Sequence, residues 1–272
     1  MLRRRARLAI FFTLTLALTP APALAQAAAA APGQAESAKI WLDQRTQIEE
    51  YMKTAEIVSM EELKVGVTRP KRAMLAPGGL VGSIAFKNVP PGRPSGFWES
   101  YKSEIAAYEL DKVLGLDMVP PTVEKRVKGD KGAAVMWCSP TKSFKDLGGV
   151  PSAPPAHFAS WNRQLAKAKM FDNLIGNMDP NLGNWLVDPA WNLILIDHTR
   201  AFTADKAMVH KKMDRIDGEL WDKMKALTVE SLTPLLSPWI GKGEIKAVIQ
   251  RRDVMAADYD KLMAANPAFV IR

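Results

Sequence analysis

The sequence predicts an α+β protein of two lobes, a small β-rich lobe followed by a larger, mostly helical one. Short apolar runs typical of strands fill the first half, and one helical pattern lies between them. A stretch rich in Pro, Gly and Ser, residues 139–155, separates the halves. Beyond it helical patterns dominate, interrupted by one pair of short apolar runs. These observations together favour a bilobal fold.

The first 25 residues have the composition of a secretory signal peptide. A positive segment containing four arginines precedes the apolar run Leu8–Leu18, and Ala23-Leu24-Ala25 fits the small-x-small cleavage rule. The apolar run is shorter than the roughly 20 residues that a membrane-spanning helix needs. We therefore predict an exported protein, periplasmic or secreted, that is cut after Ala25 and has no integral membrane span after cleavage.

Composition excludes several function classes. Without the four arginines of the signal peptide, the net charge falls from +8 to +4 and is dispersed, whereas nucleic-acid binding requires a clustered basic face. Cys138 is the only cysteine, so an intramolecular disulfide is impossible, and we expect a small buried hydrophobe there. Three isolated histidines and one cysteine give no zinc spacing.

The first half is predicted to contain one helix before the small lobe and one within it. Residues 26–37 are Ala-rich and predicted to be a disordered leader, and residues 38–62 carry a helical pattern. The small lobe is assigned to residues 63–138. Its predicted elements are strands over Lys64–Val67, Leu80–Val89, Met118–Val127 and Ala133–Trp137, and a helix from Trp98 that Gly115 ends.

The large lobe is assigned to residues 139–272. Its predicted helices begin near Phe158, Asp217, Leu232 and Gly243. The apolar runs Trp185–Val187 and Leu193–Ile196, separated by Asp188-Pro189-Ala190, predict a β-hairpin.

Polar residues flank this hairpin. Asp179 and Asn184 precede it and Asp197 follows it, so the hairpin returns Asn184 and Asp197 to one end. Phosphoryl transfer uses such a set, because a carboxylate accepts the acceptor's proton while an amide oxygen and a second carboxylate hold metal against the phosphates. Hard oxygen donors suit Mg²⁺ or Mn²⁺. The spacing of Asp179 and Asn184 also matches the catalytic loop of protein kinases.

Several blocks of sequence carry a family resemblance. Phe171–Asp179 together with Ile196–Phe202 resembles the secreted Golgi casein kinase and four-jointed family, and Asn177–Leu186 resembles the type II phosphatidylinositol 4-kinases. Glu104–Tyr108, continuing to Leu114-Gly115, is similar to the helix-C segment of that family. Both groups belong to the atypical branch of the kinase fold. The resemblance therefore implies a bilobal, protein-kinase-like fold.

The resemblance also implies roles for individual residues. Lys87 would touch the nucleotide phosphates and Glu104 would pair with it. Asp179 would be the catalytic base, and Asn184 and Asp197 the metal ligands.

Further assignments concern the nucleotide and the loop. Gly78, Gly79 and Gly82 would form the phosphate-covering loop, and Val135–Cys138, with Met136 and Cys138, the adenine-binding hinge. Asp172 is expected to order the catalytic loop.

The expected activity is transfer of the γ-phosphoryl group of ATP, with Mg²⁺ or Mn²⁺, to a hydroxyl of a protein Ser/Thr or a sugar. A lipid headgroup ranks third among the expected acceptors. The partners would be the nucleotide and an unidentified protein or glycan acceptor, and no nucleic acid. Pro180 stands where the Golgi kinases have a basic residue, and an exported bacterial protein meets little ATP. A kinase-fold pseudoenzyme that serves as a binding module, or transfer of another group such as adenylyl, stay open as alternatives.

Each residue alone also has a structural interpretation. Lys87 could be a solvated strand end, Glu104 a surface charge and Asp197 the end of a buried strand. The loop around Asp179 partly fits a calcium site but lacks the closing glutamate.

Overall fold

A computed structural model describes residues 36–63 and 70–272. The predicted signal peptide, nearly all of the predicted leader and the predicted strand Lys64–Val67 lie outside these residues. Within the described ranges, no helix is long and apolar enough to cross a membrane.

The small lobe is built on a five-stranded antiparallel sheet in the order β1-β2-β3-β5-β4. Its strands are β1 (Ile57–Glu62), β2 (Lys71–Leu75), β3 (Ser83–Lys87), β4 (Thr122–Val127) and β5 (Asp130–Met136). Helix α1 (Arg45–Thr54) precedes the sheet, and helix α2 (Tyr101–Leu114) connects β3 to β4.

The N-terminal helix is shorter than the predicted 38–62. It ends at Thr54, and Ile57–Glu62 is a strand that pairs with β2, with Ile57 opposite Leu75. The β-branched pair Ile57-Val58 suits a strand, and the pairing partner lies elsewhere in the chain. Tertiary pairing therefore overrode the helical pattern here.

The two helices cover opposite faces of this sheet, because successive side chains of a strand point to opposite sides. On one face, Ile48 and Met52 of α1 share a buried cluster with Ala134 and Met136 of β5 and with Ile84 of β3. On the other face, the α2 residues Tyr101 and Ile105 pack against Ala133 and Val135 of β5.

Helix α2 has defined ends. The Ser100 hydroxyl accepts a hydrogen bond from Lys102 N at the N-terminus. At the C-terminus Gly115 has a φ of 57°, a left-handed conformation that favours glycine, so the predicted stop at Gly115 is confirmed. Ser100 N donates to Thr199 O at 2.9 Å and Ser103 Oγ to Ala201 O at 3.1 Å. The start of α2 is thus attached to a loop of the large lobe.

The large lobe is mostly helical. Its helices are α3 (Phe158–Ile175), α4 (Gly218–Lys225), α5 (Val229–Leu236) and α6 (Lys242–Ala265). The predicted hairpin is present as β7 (Trp185–Val187) and β8 (Leu193–Leu195), and β6 (Lys142–Ser143) joins it as a third strand. A parallel pair, β9 (Ile216–Asp217) and β10 (Val270–Ile271), completes the lobe. The predicted α+β class with a β-rich first lobe and a helical second lobe is confirmed.

Residues 37–45 form an N-terminal strap between the two lobes. Ala38 N donates to Asp188 Oδ2 at 2.9 Å in the turn of the β7–β8 hairpin. Lys39 Nζ donates to Asp117 O at 2.6 Å just after α2, and Arg45 pairs with the Asp117 carboxylate. The strap therefore holds the end of α2 and the hairpin turn together.

Candidate active site

Lys87 lies at the end of β3 and joins two carboxylates that are distant in sequence. Its Nζ is 2.6 Å from Glu104 Oε1 on α2 and 2.9 Å from Asp197 Oδ1 after β8. Lys87 and Glu104 are buried. The predicted pairing of Lys87 with Glu104 is therefore present, and Asp197 completes a three-member ion cluster.

The electrostatics keep this cluster charged. Burial alone would lower the pKa of Lys87, but the negative charges of Asp197 and Glu104 outweigh it and the pKa is raised. Burial alone would raise the pKa of Glu104, but Lys87, together with His198, outweighs it and the pKa is lowered. Both groups are therefore ionised at neutral pH.

Asp197 occupies an uncommon backbone conformation. Its φ is 63°, in the left-handed region, which is costly for most residues and which aspartate tolerates better than most. Thr199 Oγ1 donates to its Oδ1 at 3.1 Å, and Ile196 N donates to Asn184 O at 3.0 Å. The hairpin thus returns Asn184 and Asp197 to one end, as the sequence predicted.

The catalytic-loop candidate begins where α3 ends. Gly176 ends the helix with a φ of 60°, and a Cβ there would lie 2.9 Å from Arg251 Cζ, so this position requires glycine. Asn177 Nδ2 donates to Asp172 Oδ1 at 3.0 Å, and Asp179 N donates to Asn177 Oδ1 at 3.2 Å. Asp172 contacts the loop as expected of a residue that orders it.

Asp179 is held by three neighbours. Asn181 Nδ2 donates to its Oδ1 at 3.0 Å, Asn184 Nδ2 donates to its carbonyl at 3.1 Å, and Arg200 Nη1 is 3.5 Å from its Oδ2. Its side chain is 35% exposed and is therefore accessible from solvent.

Sequence reasoning assigned no role to Arg200. The residue lies in the Ile196–Phe202 block that carried the resemblance, and this was the only signal that could have singled it out.

The donor set fits a metal ion that also binds phosphate. The Asn184 amide nitrogen donates to Asp179, which leaves its oxygen as the end for a cation, and Asp197 Oδ2 accepts no hydrogen bond from the described residues. No group of three His, Cys, Asp or Glu residues suited to a metal occurs among them. Mg²⁺ commonly takes one or two protein carboxylates and completes its shell with phosphate and water. Asn184 and Asp197 suit that arrangement.

Gly79 and Gly82 are not brought to Lys87. They lie in the β2–β3 turn, which precedes β3, whereas Lys87 is the last residue of that strand, about 16 Å away at 3.3 Å per residue. A Cβ at Gly79 would lie 1.8 Å from Tyr51 Oη of α1. This glycine thus allows close packing on α1 instead of covering phosphates at the Lys87 end of the sheet.

Met136 is the last residue of β5 and Cys138 lies just after it, and both side chains turn away from α2. Both belong to the buried cluster on the α1 face. Burial raises the pKa of the Cys138 thiol to about 12, so it is a buried neutral group, as expected. Met136 N and Trp137 N already donate to Pro121 O and Ser83 O, so a hinge at Val135–Cys138 would not bind a nucleotide through these two side chains or these two N–H groups.

A cavity of about 220 Å³ opens beside the catalytic-loop candidate. It is lined by residues from the segment before α2, the loop and the segment after Phe202, namely Arg93, Phe97, Trp98, Met178, Thr203, Ala204 and Asp205. Met178 directly precedes Asp179, and Phe97 lies over the Arg200 guanidinium at 5.1 Å.

Known structures agree with this architecture. A structure of hydra Fam20 with sugar matches with a TM-score of 0.63 at 15% identity, over 83% of this chain and 91% of that chain. The chain has an atypical kinase fold, like that of Fam20. The Golgi casein kinase matches with a TM-score of 0.58 at 16% identity, over 81% of this chain and 76% of its own.

The Golgi casein kinase with Mn/ADP bound matches with a TM-score of 0.57 at 14% identity, over 76% of this chain and 73% of that chain. No protein-family model and no curated protein matches the sequence. The predicted kinase-like fold is therefore confirmed by structural similarity alone.

Proposed function

We propose that this chain is an exported, ATP- and metal-dependent phosphotransferase acting on a hydroxyl of a protein Ser/Thr or a sugar. The observation that carries the proposal is Lys87, buried between Glu104 and Asp197 at 2.6 and 2.9 Å. Burying the charges of Lys87 and Glu104 costs free energy, and a purely structural core gains little from them. A cation fixed in place next to a candidate metal ligand has a use in binding phosphates.

The transfer would proceed as follows. The acceptor oxygen forms a bond to the γ-phosphorus while the bond from that phosphorus to the β–γ bridging oxygen breaks. The bond electrons leave with ADP, and the acceptor's proton passes to Asp179. Lys87 would bind the nucleotide phosphates and Glu104 would hold Lys87 in place. Asp172 and Asn177 would hold the loop that presents Asp179.

Asn184 and Asp197 would hold Mg²⁺ or Mn²⁺, which supplies neutralisation of the phosphate charge when bound. The Golgi casein kinase structure with Mn/ADP supports this choice of ligand and metal.

The acceptor would enter from the cavity beside Met178. Its walls are mainly apolar, with Phe97 and Trp98 on one side, and Arg93 and Asp205 provide opposite charges. This composition supports either a peptide or a sugar ring as the acceptor.

The test is thermal stabilisation of the chain from Gln26 onward by ATP with Mg²⁺ or Mn²⁺, beside an Asp197→Ala variant. A ligand that binds only the folded state raises stability by about 2.7 kcal/mol at a hundredfold excess over Kd. We expect a metal-dependent rise in Tm that Asp197→Ala abolishes. Absence of a rise with either metal at millimolar nucleotide would refute ATP as the donor.

Pro180 favours a second candidate, a kinase-fold binding module without turnover, since this residue places no charge beside Asp179. Metal-dependent nucleotide binding without any product would support it. Mass analysis of a modified acceptor distinguishes phosphoryl transfer from adenylyl transfer, because a phosphoryl group adds about 80 Da and an adenylyl group about 329 Da.

A further inference from the structure

We propose that Arg200 is a catalytic residue that contacts the γ-phosphoryl group from the side of Asp179. The inference rests on the proposed function and adds a second cation to it. Phosphoryl transfer spreads negative charge over the oxygens of the moving group, and positioned cations stabilise that charge. Lys87 pairs with Glu104 and with the metal-ligand candidate Asp197, so it lies on the metal side of the site.

The geometry of Arg200 leaves one edge of its guanidinium for this task. Nε and Nη2 donate to Glu99 Oε1 at 3.0 and 2.7 Å, which fixes the orientation of the group. Glu99 is itself buried. Nη1 points the other way and lies 3.5 Å from Asp179 Oδ2. The edge not used by Glu99 therefore faces the candidate base.

Two further contacts make the position rigid. The Phe97 ring covers one face of the guanidinium at 5.1 Å from its centroid, and the Arg200 carbonyl accepts a hydrogen bond from Met178 N at 3.3 Å. Arg200 is thus attached to both the segment before α2 and the loop that carries Asp179. A preorganised cation of this kind needs no rearrangement when charge develops beside it.

In the proposed reaction Arg200 acts as a fixed positive charge and transfers no proton. As the acceptor oxygen bonds to phosphorus and the bond to ADP breaks, the acceptor's proton passes to Asp179 and Arg200 stays protonated throughout. Its Nη1 would pair with an oxygen of the phosphoryl group. Pro180, which follows Asp179 directly, cannot supply that charge.

The experiment compares Arg200→Met and Arg200→Lys with the matched control Arg215→Met. Arg215 also lies over a phenylalanine, with 5.9 Å to the Phe269 ring, but it is exposed and its guanidinium donates to Asp214 O and not to a site residue. We would measure Kd for ATP and for ADP, each with Mg²⁺, and the rate of ATP hydrolysis. A hydrogen bond to a charged group corresponds to roughly 10- to 100-fold in affinity.

We expect Arg200→Met to raise the Kd for ATP at least tenfold relative to the Kd for ADP. It should also lower the rate of ATP hydrolysis about 100-fold. Arg200→Lys should recover part of both, and Arg215→Met should change neither. An unchanged ratio of the two Kd values in Arg200→Met would overturn the assignment.

A measurement on the wild-type chain covers the case in which Arg200→Met does not fold. Phenylglyoxal modifies arginine, and peptide mapping reports each site. Saturating ATP should protect Arg200 while saturating ADP leaves it reactive, and equal protection by both would refute the γ-phosphoryl contact. If wild type binds neither nucleotide, the proposed function fails as well. If Asp197→Ala abolishes binding while Arg200 shows no effect, only the Arg200 assignment fails.

Discussion

The two ends of the candidate site differ in how they are built. At the nucleotide end, the side chains of Lys87 and Glu104 are only 6% and 2% exposed and both are paired. At the acceptor end, Phe97 and Met178 are 59% and 50% exposed and line an open cavity. The fold therefore fixes the groups that are proposed to bind phosphates, while Phe97 and Met178, which line the cavity proposed for the acceptor, lie on the surface, where they can vary without cost to the core.

The two ends should therefore respond differently to substitution. Removing one member of a buried ion cluster leaves an uncompensated charge, which is expensive. Removing a surface group mainly removes its own chemistry.

Asp179→Asn should lower phosphoryl transfer by about 10³-fold, because general-base catalysis contributes roughly 10²- to 10⁴-fold. The half-exposed side chain carries little of the stability, so the variant should keep its unfolding midpoint in urea. It should also keep the Tm rise with ATP and metal. Loss of that rise in Asp179→Asn would contradict the assignment of Asp179 to the acceptor end.

Lys87→Met should destabilise the fold by about 3–5 kcal/mol, since it strands the buried carboxylate of Glu104. The double variant Lys87→Met/Glu104→Gln should recover part of this loss, and urea unfolding measures both. Lys131→Met is the matched control, because Lys131 pairs with Glu124 on the same sheet but is about half exposed, and such pairs contribute roughly 0–1 kcal/mol. Equal losses of unfolding free energy in Lys87→Met and Lys131→Met would show that the buried ion cluster is no more sensitive to substitution than an exposed ion pair.

Two buried carboxyls of α2 should give opposite pH dependences. Burial raises the pKa of Asp111 to about 6, although hydrogen bonds from Val119 N and Met118 N oppose it. Burial also acts on Glu104, but Lys87 and His198 outweigh it and lower the pKa from 4.5 to about 2. Ionised Asp111 therefore costs stability above about pH 6, a cost that disappears as the pH falls toward 4. Glu104 contributes stability above pH 4.5, and this is lost as the pH falls toward 2.

Asp111→Asn should accordingly stabilise the chain at pH 8 by roughly 1–3 kcal/mol and have little effect at pH 4. Glu104→Gln should destabilise it at pH 8. Urea unfolding at pH 4, 6 and 8 measures both, and an effect of Asp111→Asn that does not change with pH would show that its ionisation is not involved.

Much of the fold was predictable because its signals are local. The helix ending at Gly115, the β7–β8 hairpin and the order of strands before helices follow from periodicity and turn residues. Ile57–Glu62 was wrongly predicted as helix because its strand character depends on pairing with β2. The strands β6, β9 and β10 have two residues each and leave no periodic signal.

The site was predictable where a motif carried it and not where tertiary structure did. Lys87, Glu104 and Asp197 were named from the sequence and lie in contact, while their roles in catalysis stay predictions. Gly79 was placed near the phosphates because spacing cannot tell which turn shares a sheet edge with Lys87. Arg200 acquires its position from Glu99, which lies 101 residues earlier, and no local pattern records that contact.

The N-terminal strap has a mechanical consequence. Its anchor at Asp188 is the turn of the hairpin whose open end carries Asn184 and Asp197. A pulling force or a protease that acts on the N-terminal strap therefore also acts on the β7–β8 hairpin, which holds the two metal-ligand candidates in place. Removal of Ser37 and Ala38 would break the hydrogen bonds that join the strap to Asp188 and so release the hairpin turn from the first lobe.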